Sequence, residues 1–293
     1  MKISIVTPSF NQGEFIERTI QSVVSQSFTD REFIIIDGGS TDQSLEIINK
    51  FDADITYWVS EADNGQTHAV NKGFSIASGD ILGWLNSDDV FYPGTLQKVA
   101  DHFSTNPDCD VLYGMADYID DQDNFIRAYK TRNWSFAELK KWCFICQPAV
   151  FFRRSVFEEQ GQLDESLNYC MDYEYWLRCG QTKPFHYLKD KLAASRLYPE
   201  NKTIGSRPAV LKEAMEMLFN KFGGIPRRWL GEYSLDLVGY ERGFHPTGFE
   251  RIAWTFHALR KWHKLNYRYN RGVLPLVPLQ MLVRLPVIPR RTF

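Results

Sequence analysis

The chain has 293 residues, 44% of them apolar and 24% charged, with a formal net charge of −2. These are the values of a globular protein with a sizeable core, long for one domain and short for two. No apolar stretch reaches the ~18 residues of a transmembrane helix, and Lys2 leads into an apolar run too short for a secretory signal.

Five cysteines, an odd number, point to reduced thiols and a cytosolic setting. The lone C-F-I-C of Cys143 and Cys146 has no second pair beside it and reads as buried thiols. Charge is unevenly spread. Residues 250–293 hold nine Lys or Arg against one Glu, a balance of +8, whereas the rest holds 25 basic and 35 acidic residues, a balance of −10. A basic tail on an acidic body points to an anionic partner, a membrane surface or nucleic acid.

In chain order, residues 2–7 are expected to form a first strand closed by Pro8, with a turn at 9–13. Ile16, Ile20, Val23 and Val24 recur at helical spacing. A second strand, 33–37, ends in Asp37-Gly38-Gly39, after which Ser40 and Gln43 have the spacing of a capping box and Leu45, Ile48 and Phe51 line a helix face. A third strand at 55–60 precedes E-A-D-N-G, and a third helix runs from about 66 to 78. Strands and helices alternating at this rhythm predict right-handed βαβ units and a mostly parallel α/β sheet.

The pivotal stretch is G-D-I-L-G-W-L-N-S-D-D at 79–89. Its apolar run fits a strand buried on both faces, and it ends in Asn86, Ser87, Asp88 and Asp89. Adjacent carboxylates at the carboxyl end of a central strand sit where open α/β sheets bind ligands, and their repulsion calls for a hard divalent cation. A cap on the following helix is the plainer alternative. Asp37 could accept from a nucleoside N–H or hydroxyl, or simply shape a strand-to-helix turn. Neither a dinucleotide fingerprint nor a phosphate-binding P-loop is present.

Beyond Asp89, Leu96, Val99, Ala100 and Phe103 mark a helix, and 111–120 reads as a strand, a candidate antiparallel addition. Residues 125–142 are rich in aromatic and basic side chains, read mainly as core, and 147–152 is another strand-like run. Asp172 opens a helix whose face includes Trp176 and Cys179, and by itself it is equally well a cap.

The succession P-S-F-N, D-G-G-S-T-D, E-A-D-N-G-Q, N-K-G, G-D-I-L-G-W-L-N-S-D-D, Q-P-A-V-F-F-R-R and M-D-Y-E-Y-W-L-R resembles the family 2 inverting glycosyltransferases of GT-A fold, over roughly residues 1–200. The resemblance implies that Pro8, Asn11, Asp37, Gly38, Asp63, Lys72 and Asp88 border a nucleotide-sugar donor. It implies that Asp88 and Asp89 bind Mg²⁺ or Mn²⁺, with Asp89 the better ligand, and that Asp172 is the general base. Gln147, Trp176, Arg178 and Arg196 fall near the acceptor or behind the site. The implied partners are a nucleotide-diphosphate sugar and a glycan or lipid-linked acceptor.

Departures from the family pattern are visible. Gly38 stands where a second carboxylate is frequent, Asn86 occupies the first position of the D-x-D motif, Met171 precedes Asp172 in place of an acid, and Tyr198 stands where a His is common. These changes keep a non-catalytic sugar-binding scaffold as the alternative, while a sugar-nucleotide pyrophosphorylase would need a Gly-rich, Arg-containing loop after the first strand that is not there.

The expected division is a GT-A domain at 1–205 and a helical, basic extension at 206–293. Leu211, Ala214, Met215 and Leu218 form one apolar face, and Ile252, Phe256, Leu259 and Trp262 a second. The apolar end, interrupted by Pro275, Pro278, Pro286 and Pro289, cannot span a bilayer as a regular helix. It is expected either to attach the protein to the inner face of the plasma membrane or to pack as extra core. The basic tail carries no nucleic-acid reader motif.

Overall fold

A computed structural model of the chain describes residues 1–242 and 250–270. They form two compact units, one of residues 1–136 and 144–198, the other of 137–143 and the chain from 199 onward.

The first unit is built on a nine-stranded sheet. Its opening half alternates as the sequence pattern demands: β1 (Ile3–Ser9), α1 (Ile16–Val24), β2 (Arg31–Asp37), α2 (Ser44–Lys50), β3 (Tyr57–Ser60), α3 (Gln66–Ile76) and β4 (Ile81–Trp84). All four strands are parallel, in the order β3-β2-β1-β4. The chain leaves β1 toward one side for β2 and β3, then returns to the other side for β4. That reversal opens a crevice beyond the carboxyl ends of β1 and β4, the place where open α/β sheets take ligands.

The other elements are β5 (Val90–Phe91), α4 (Thr95–Thr105), β6 (Val111–Ile119), β7 (Phe125–Ala128), α5 (Phe136–Leu139), β8 (Val150–Arg153), α6 (Arg154–Gln160), α7 (Met171–Cys179) and β9 (Phe185–Arg196). They extend the sheet as β4-β8-β6-β9-β5, with β7 hairpinned onto β6.

Strand alternation divides the core. Ile3 and Ile5 face one side and pack with Ile16, Ile20 and Val23 of α1, Ile47 and Ile48 of α2, and Leu96, Val99 and Phe103 of α4. Val6 faces the other side, where α3 comes so close that a Cβ on Gly73 would lie 2.3 Å from a Val6 methyl. Phe74 of α3 then meets Phe152 and Phe157 edge-on.

Four local expectations are corrected. Pro8 lies inside β1, opposite Ile36, so the strand runs two residues longer. Ser40 caps no helix; its hydroxyl goes to Asp37, and Asp42 accepts from the Ser44 amide at the start of α2. The antiparallel strand beside β4 is β8, not β6; β6 runs antiparallel to β8 and therefore in the direction of β4. The run at 147–152 begins as a 3-10 turn, Gln147–Ala149, before becoming strand.

The second unit is helical: α8 (Lys202–Gly205), α9 (Arg207–Phe222), α10 (Arg227–Arg242) and α11 (Glu250–Asn270). Leu211, Ala214, Met215 and Leu218 of α9 are buried as the spacing predicts. In α11 the buried residues include Ala258, Trp262, Asn266 and Tyr269, whereas Phe256 is 68% exposed, so the predicted stripe is rotated. Side-chain amide and backbone of Asn270 and Ile225 exchange hydrogen bonds at 2.8 and 3.0 Å, closing the α9–α10 turn onto the end of α11. Among the described residues no helix is long and apolar enough to cross a membrane. The proline-interrupted end, 271–293, lies outside the described residues.

Candidate active site

The crevice is stitched together from turns that follow β1, β2 and β3. Asp37 ends β2 with 0% exposure and accepts from the Gly39 and Ser40 amides, the Ser40 hydroxyl and the Ser60 hydroxyl at 2.6–3.1 Å. Both its oxygens are engaged within the protein. In this structure those bonds shape the D-G-G-S turn, as the plainer of the two sequence readings has it.

Asn11 takes a left-handed backbone, φ 50°, which Asn tolerates better than most residues. Its side-chain oxygen accepts from the Thr41 amide, and its own amide donates to the Ser40 hydroxyl, joining the first turn to the second. A Cβ on Gly38 would lie 3.0–3.1 Å from the Asp63 carboxylate. The missing side chain at 38 thus leaves room for a carboxylate from the next turn. Lys72 on α3 pairs with Glu61.

Beneath these turns the Thr7 and Ser9 hydroxyls at the end of β1 are buried without a hydrogen-bond partner. Buried hydroxyls without a protein partner are uncommon. Phe10, beside them, is exposed.

On the β4 side, the side chain of Asn86 is committed on every front. Its Oδ1 accepts from Trp84 Nε1 and Gln66 Nε2 at 2.7 Å, and its Nδ2 donates to Gln147 Oε1 and Asp89 Oδ2 at 3.2 and 3.3 Å. Gln147 Nε2 in turn donates to the Trp84 carbonyl at 2.7 Å. Asn86 therefore builds the floor and is not placed as a cation ligand.

The carboxylate pair divides the work. Asp89 is 3% exposed, its Oδ1 accepts from the Arg196 amide at 2.9 Å, and its carbonyl accepts from Thr19 Oγ1 at 2.8 Å. Burial first, and then the negative charge of Asp88, push its carboxyl well above the usual range. Asp89 is thus the more buried of the pair, its oxygens held by the Arg196 amide and the Asn86 side-chain amide, and Asp88 is the more open. Asp88 is half-buried, and its Oδ2 accepts from Tyr198 Oη at 2.9 Å. Burial, then the Asp88 charge, raise the Tyr198 phenol, so it stays a neutral donor. Arg196 Nε holds the Asp88 carbonyl at 2.8 Å while its guanidinium pairs with Asp123 and lies over the Phe15 ring.

The donor set suits a hard cation of the Mg²⁺ or Mn²⁺ kind. Such ions are commonly held by one or two carboxylates, with substrate phosphates and water completing the shell. Asp88 supplies one carboxylate at the crevice, and its charge already strains the buried neighbour.

Asp172 lies in the first turn of α7, with Oδ1 accepting from the Tyr173 amide at 2.7 Å. The loop before α7 is fixed to α3: Thr67 Oγ1 donates to the Leu167 carbonyl, and buried Asn71 reaches the Leu163 carbonyl and amide and the Glu165 carboxylate, all at 2.9–3.0 Å. Since Gln66 at the head of α3 also holds Asn86, one helix ties the approach to Asp172 to the floor beneath Asp88.

Of two expected acceptor residues, one is buried and the other is partly exposed but engaged within the fold. Trp176 is 2% exposed and packs against Phe152 and Phe185, a core side chain. Arg178 is held by Glu174 and the Gln160 and Gln162 carbonyls, bracing α7. Asn71, Gln66 and Tyr198 were passed over as working residues. Gln66 and Asn71 stand inside quoted motifs and Tyr198 where a His is common, but only the fold shows what each touches.

The family model for glycosyl transferase family 2 matches residues 4–161. The chain belongs to that family. Family 2 relatives include an uncharacterized glycosyltransferase of Nostoc sp., 31% identical over 176 residues, covering 56% of this chain and 54% of the relative. Another is a PGL/p-HBAD biosynthesis glycosyltransferase of Mycobacterium bovis, 30% identical over 183 residues, covering 60% and 68%. The chain thus spans about half to two-thirds of the length of these curated relatives.

Among solved structures, S. aureus TarS 1–349 in complex with UDP matches with TM-score 0.61 and 18% identity, covering 98% of this chain and 87% of that one. The mannosyltransferase PcManGT of Pyrobaculum calidifontis, in complex with GDP-Man and Mn²⁺, matches with TM-score 0.54 and 12% identity, covering 96% and 78%. At these identities the likeness is one of fold, and the fold is GT-A. In this family 2 chain the departures at Gly38, Asn86 and Tyr198 are each absorbed by a specific neighbour: Asp63, the Gln66–Gln147 floor and Asp88.

Proposed function

We propose that the chain is an inverting glycosyltransferase. It would move a sugar from a nucleoside-diphosphate sugar to a hydroxyl of a glycan or lipid-linked acceptor, with Mg²⁺ or Mn²⁺. The observation that carries the reading is the pairing of half-buried Asp88 with Tyr198 at the end of β4, over a floor in which Asp89, Asn86 and Gln147 are fully engaged. The UDP, UDP-GlcNAc and GDP-Man complexes of the structural neighbours support a nucleotide-sugar donor.

In this reading Asp88 holds the cation, and Tyr198 fixes the carboxylate's orientation by donating to it. The ion, when bound, neutralises charge on the departing diphosphate. Pro8, Asn11, Gly38 and Asp63 border the nucleoside, with Asp63 doing the work of the missing carboxylate at 38; Lys72 stands behind them with Glu61. Arg196 and Gln147 hold the floor rigid. Asp172 takes the proton of the attacking hydroxyl as its oxygen bonds to the anomeric carbon, and the anomeric C–O bond breaks with its electron pair leaving on the nucleoside diphosphate. Attack opposite the leaving group inverts the centre. The Tyr173 amide on Oδ1 keeps Asp172 oriented for that transfer.

A thermal-shift screen of nucleotide sugars with Mg²⁺ or Mn²⁺ tests this. The melting temperature is expected to rise for the sugars of one nucleotide, and only with metal present; no shift with any donor defeats the proposal. The +8 balance of residues 250–293 supports a second element, attachment of the chain to anionic membrane at the cytoplasmic face. Truncation before Arg271 is expected to abolish flotation with acidic vesicles, and equal flotation of both proteins contradicts it.

A further inference from the structure

The opposite edge of the same sheet carries a cluster that sugar transfer does not use. His102 lies in the last turn of α4, Cys109 two residues before β6, and His186 second in β9, opposite Leu112 of β6. His102 Nε2 and His186 Nδ1 are 3.3 Å apart, and the three candidate ligand atoms, with the Cys109 sulfur, lie within 4.8 Å of one another. Zinc–nitrogen and zinc–sulfur bonds of about 2.0–2.1 and 2.3 Å put tetrahedral ligands roughly 3.3–3.6 Å apart. The two nitrogens already have that separation, and from the 4.8 Å bound the thiol needs a shift of up to roughly 1.2–1.5 Å to join them.

We propose that His102, Cys109 and His186 form a zinc site, with solvent at the fourth position. Three features of the surroundings fit. The far nitrogen of His186, Nε2, is 3.9 Å from an Asp108 carboxylate oxygen, too long for a hydrogen bond but on the side where a carboxylate could come to orient a metal-bound imidazole. Arg153 Nε donates to the Cys109 carbonyl at 2.8 Å, and its other nitrogens reach the Phe103, Asn106 and Pro107 carbonyls, so the segment leading to Cys109 is pinned to the end of α4. Cys109 is 0% exposed, whereas both histidines are half-buried, so the site opens to solvent on their side.

Nitrogen and thiolate ligands select zinc-like ions over Mg²⁺ or Mn²⁺, which separates this site chemically from the carboxylates at the other edge. Metal ligation by a cysteine requires its thiolate form. Binding then exchanges one S–H bond for one S–metal bond and releases the proton. Joining helix, loop and strand at the sheet's amino edge, the ion would brace the half of the sheet that β6 and β9 share.

The test is a Co²⁺ titration of the metal-stripped full chain, followed by absorbance and then displaced with Zn²⁺. The expected result is one equivalent of Co²⁺ with a thiolate-to-cobalt charge-transfer band, removed by one equivalent of Zn²⁺, absent in Cys109→Ser and intact in Asp88→Asn. Absence of the band in the wild-type chain, or its persistence in Cys109→Ser, overturns the proposal. If Cys109→Ser does not fold, His186→Gln decides: it retains the sulfur and is expected to weaken Co²⁺ at least tenfold, and unchanged affinity overturns the site.

Discussion

The two edges of one sheet carry different polar architecture. At the amino edge, Glu32 accepts from the Ser4 hydroxyl, from the Ser78 amide and hydroxyl, and from Lys2. Burial alone would raise its carboxyl, but these donors outweigh it and bring it down to about 2. At the carboxyl edge, the Thr7 and Ser9 hydroxyls are buried without a partner, and burial with Asp88 beside it pushes Asp89 upward. Around Glu32 a buried charge is met by donors of the fold itself, whereas at the end of β1 two buried hydroxyls are left without partners. Glu32 is therefore expected to matter for stability and the carboxyl edge for binding.

Substitutions should therefore split by edge. The largest effect is expected for Asp172→Asn, which keeps size and turn geometry and removes basicity. Turnover should fall roughly 10²–10⁴-fold, as for loss of a general base, with the melting temperature and donor affinity unchanged. Near-normal turnover would reduce Asp172 to a helix-start residue and shift attention to Asp164.

At the amino edge Glu32→Gln should do the reverse, costing about 1–3 kcal/mol of stability at neutral pH while leaving turnover of the folded enzyme unchanged. The sign follows from the lowered carboxyl. Its contribution is complete above the ordinary value of 4.5 and is lost as the pH falls through about 2, so wild type and variant should converge in acid denaturation. A constant difference down to pH 2 would mean that the ionised carboxylate is not what stabilises this edge.

Much of the sheet was legible in the sequence because its signals are local. Apolar runs of four to seven residues, each followed by a helical stripe, mark β1 to β4 as parallel strands, while their order is seen only in the fold. Pro8 was read as a stop because proline cannot donate, yet β1 carries it in pairing with Ile36. In α11, spacing alone could not choose between faces, since aromatic residues lie on several sides of the helix, and the fold buries Trp262 while exposing Phe256.

The site was legible as motifs but not as roles. Asp88 and Asp89 are adjacent and chemically identical in sequence, and it is the return of β9 and Tyr198 from more than a hundred residues away that buries one and leaves the other more open. Asp37 was ambiguous for the same reason: three of its donors come from the turn after β2 and the fourth, Ser60, from the end of β3. His102, Cys109 and His186 have no motif spacing at all, and the pairing of β6 with β9 is what assembles them.

The most direct test of the division is calorimetry of nucleotide diphosphates, UDP and GDP, with wild type, Asp88→Asn and Glu32→Gln, each with Mn²⁺ and again with EDTA. The expected result is binding of one nucleotide by wild type and Glu32→Gln with Mn²⁺, weakened at least tenfold by EDTA or by Asp88→Asn. Undiminished binding to Asp88→Asn, or in EDTA, would contradict the assignment of the carboxyl edge as a metal-assisted donor site.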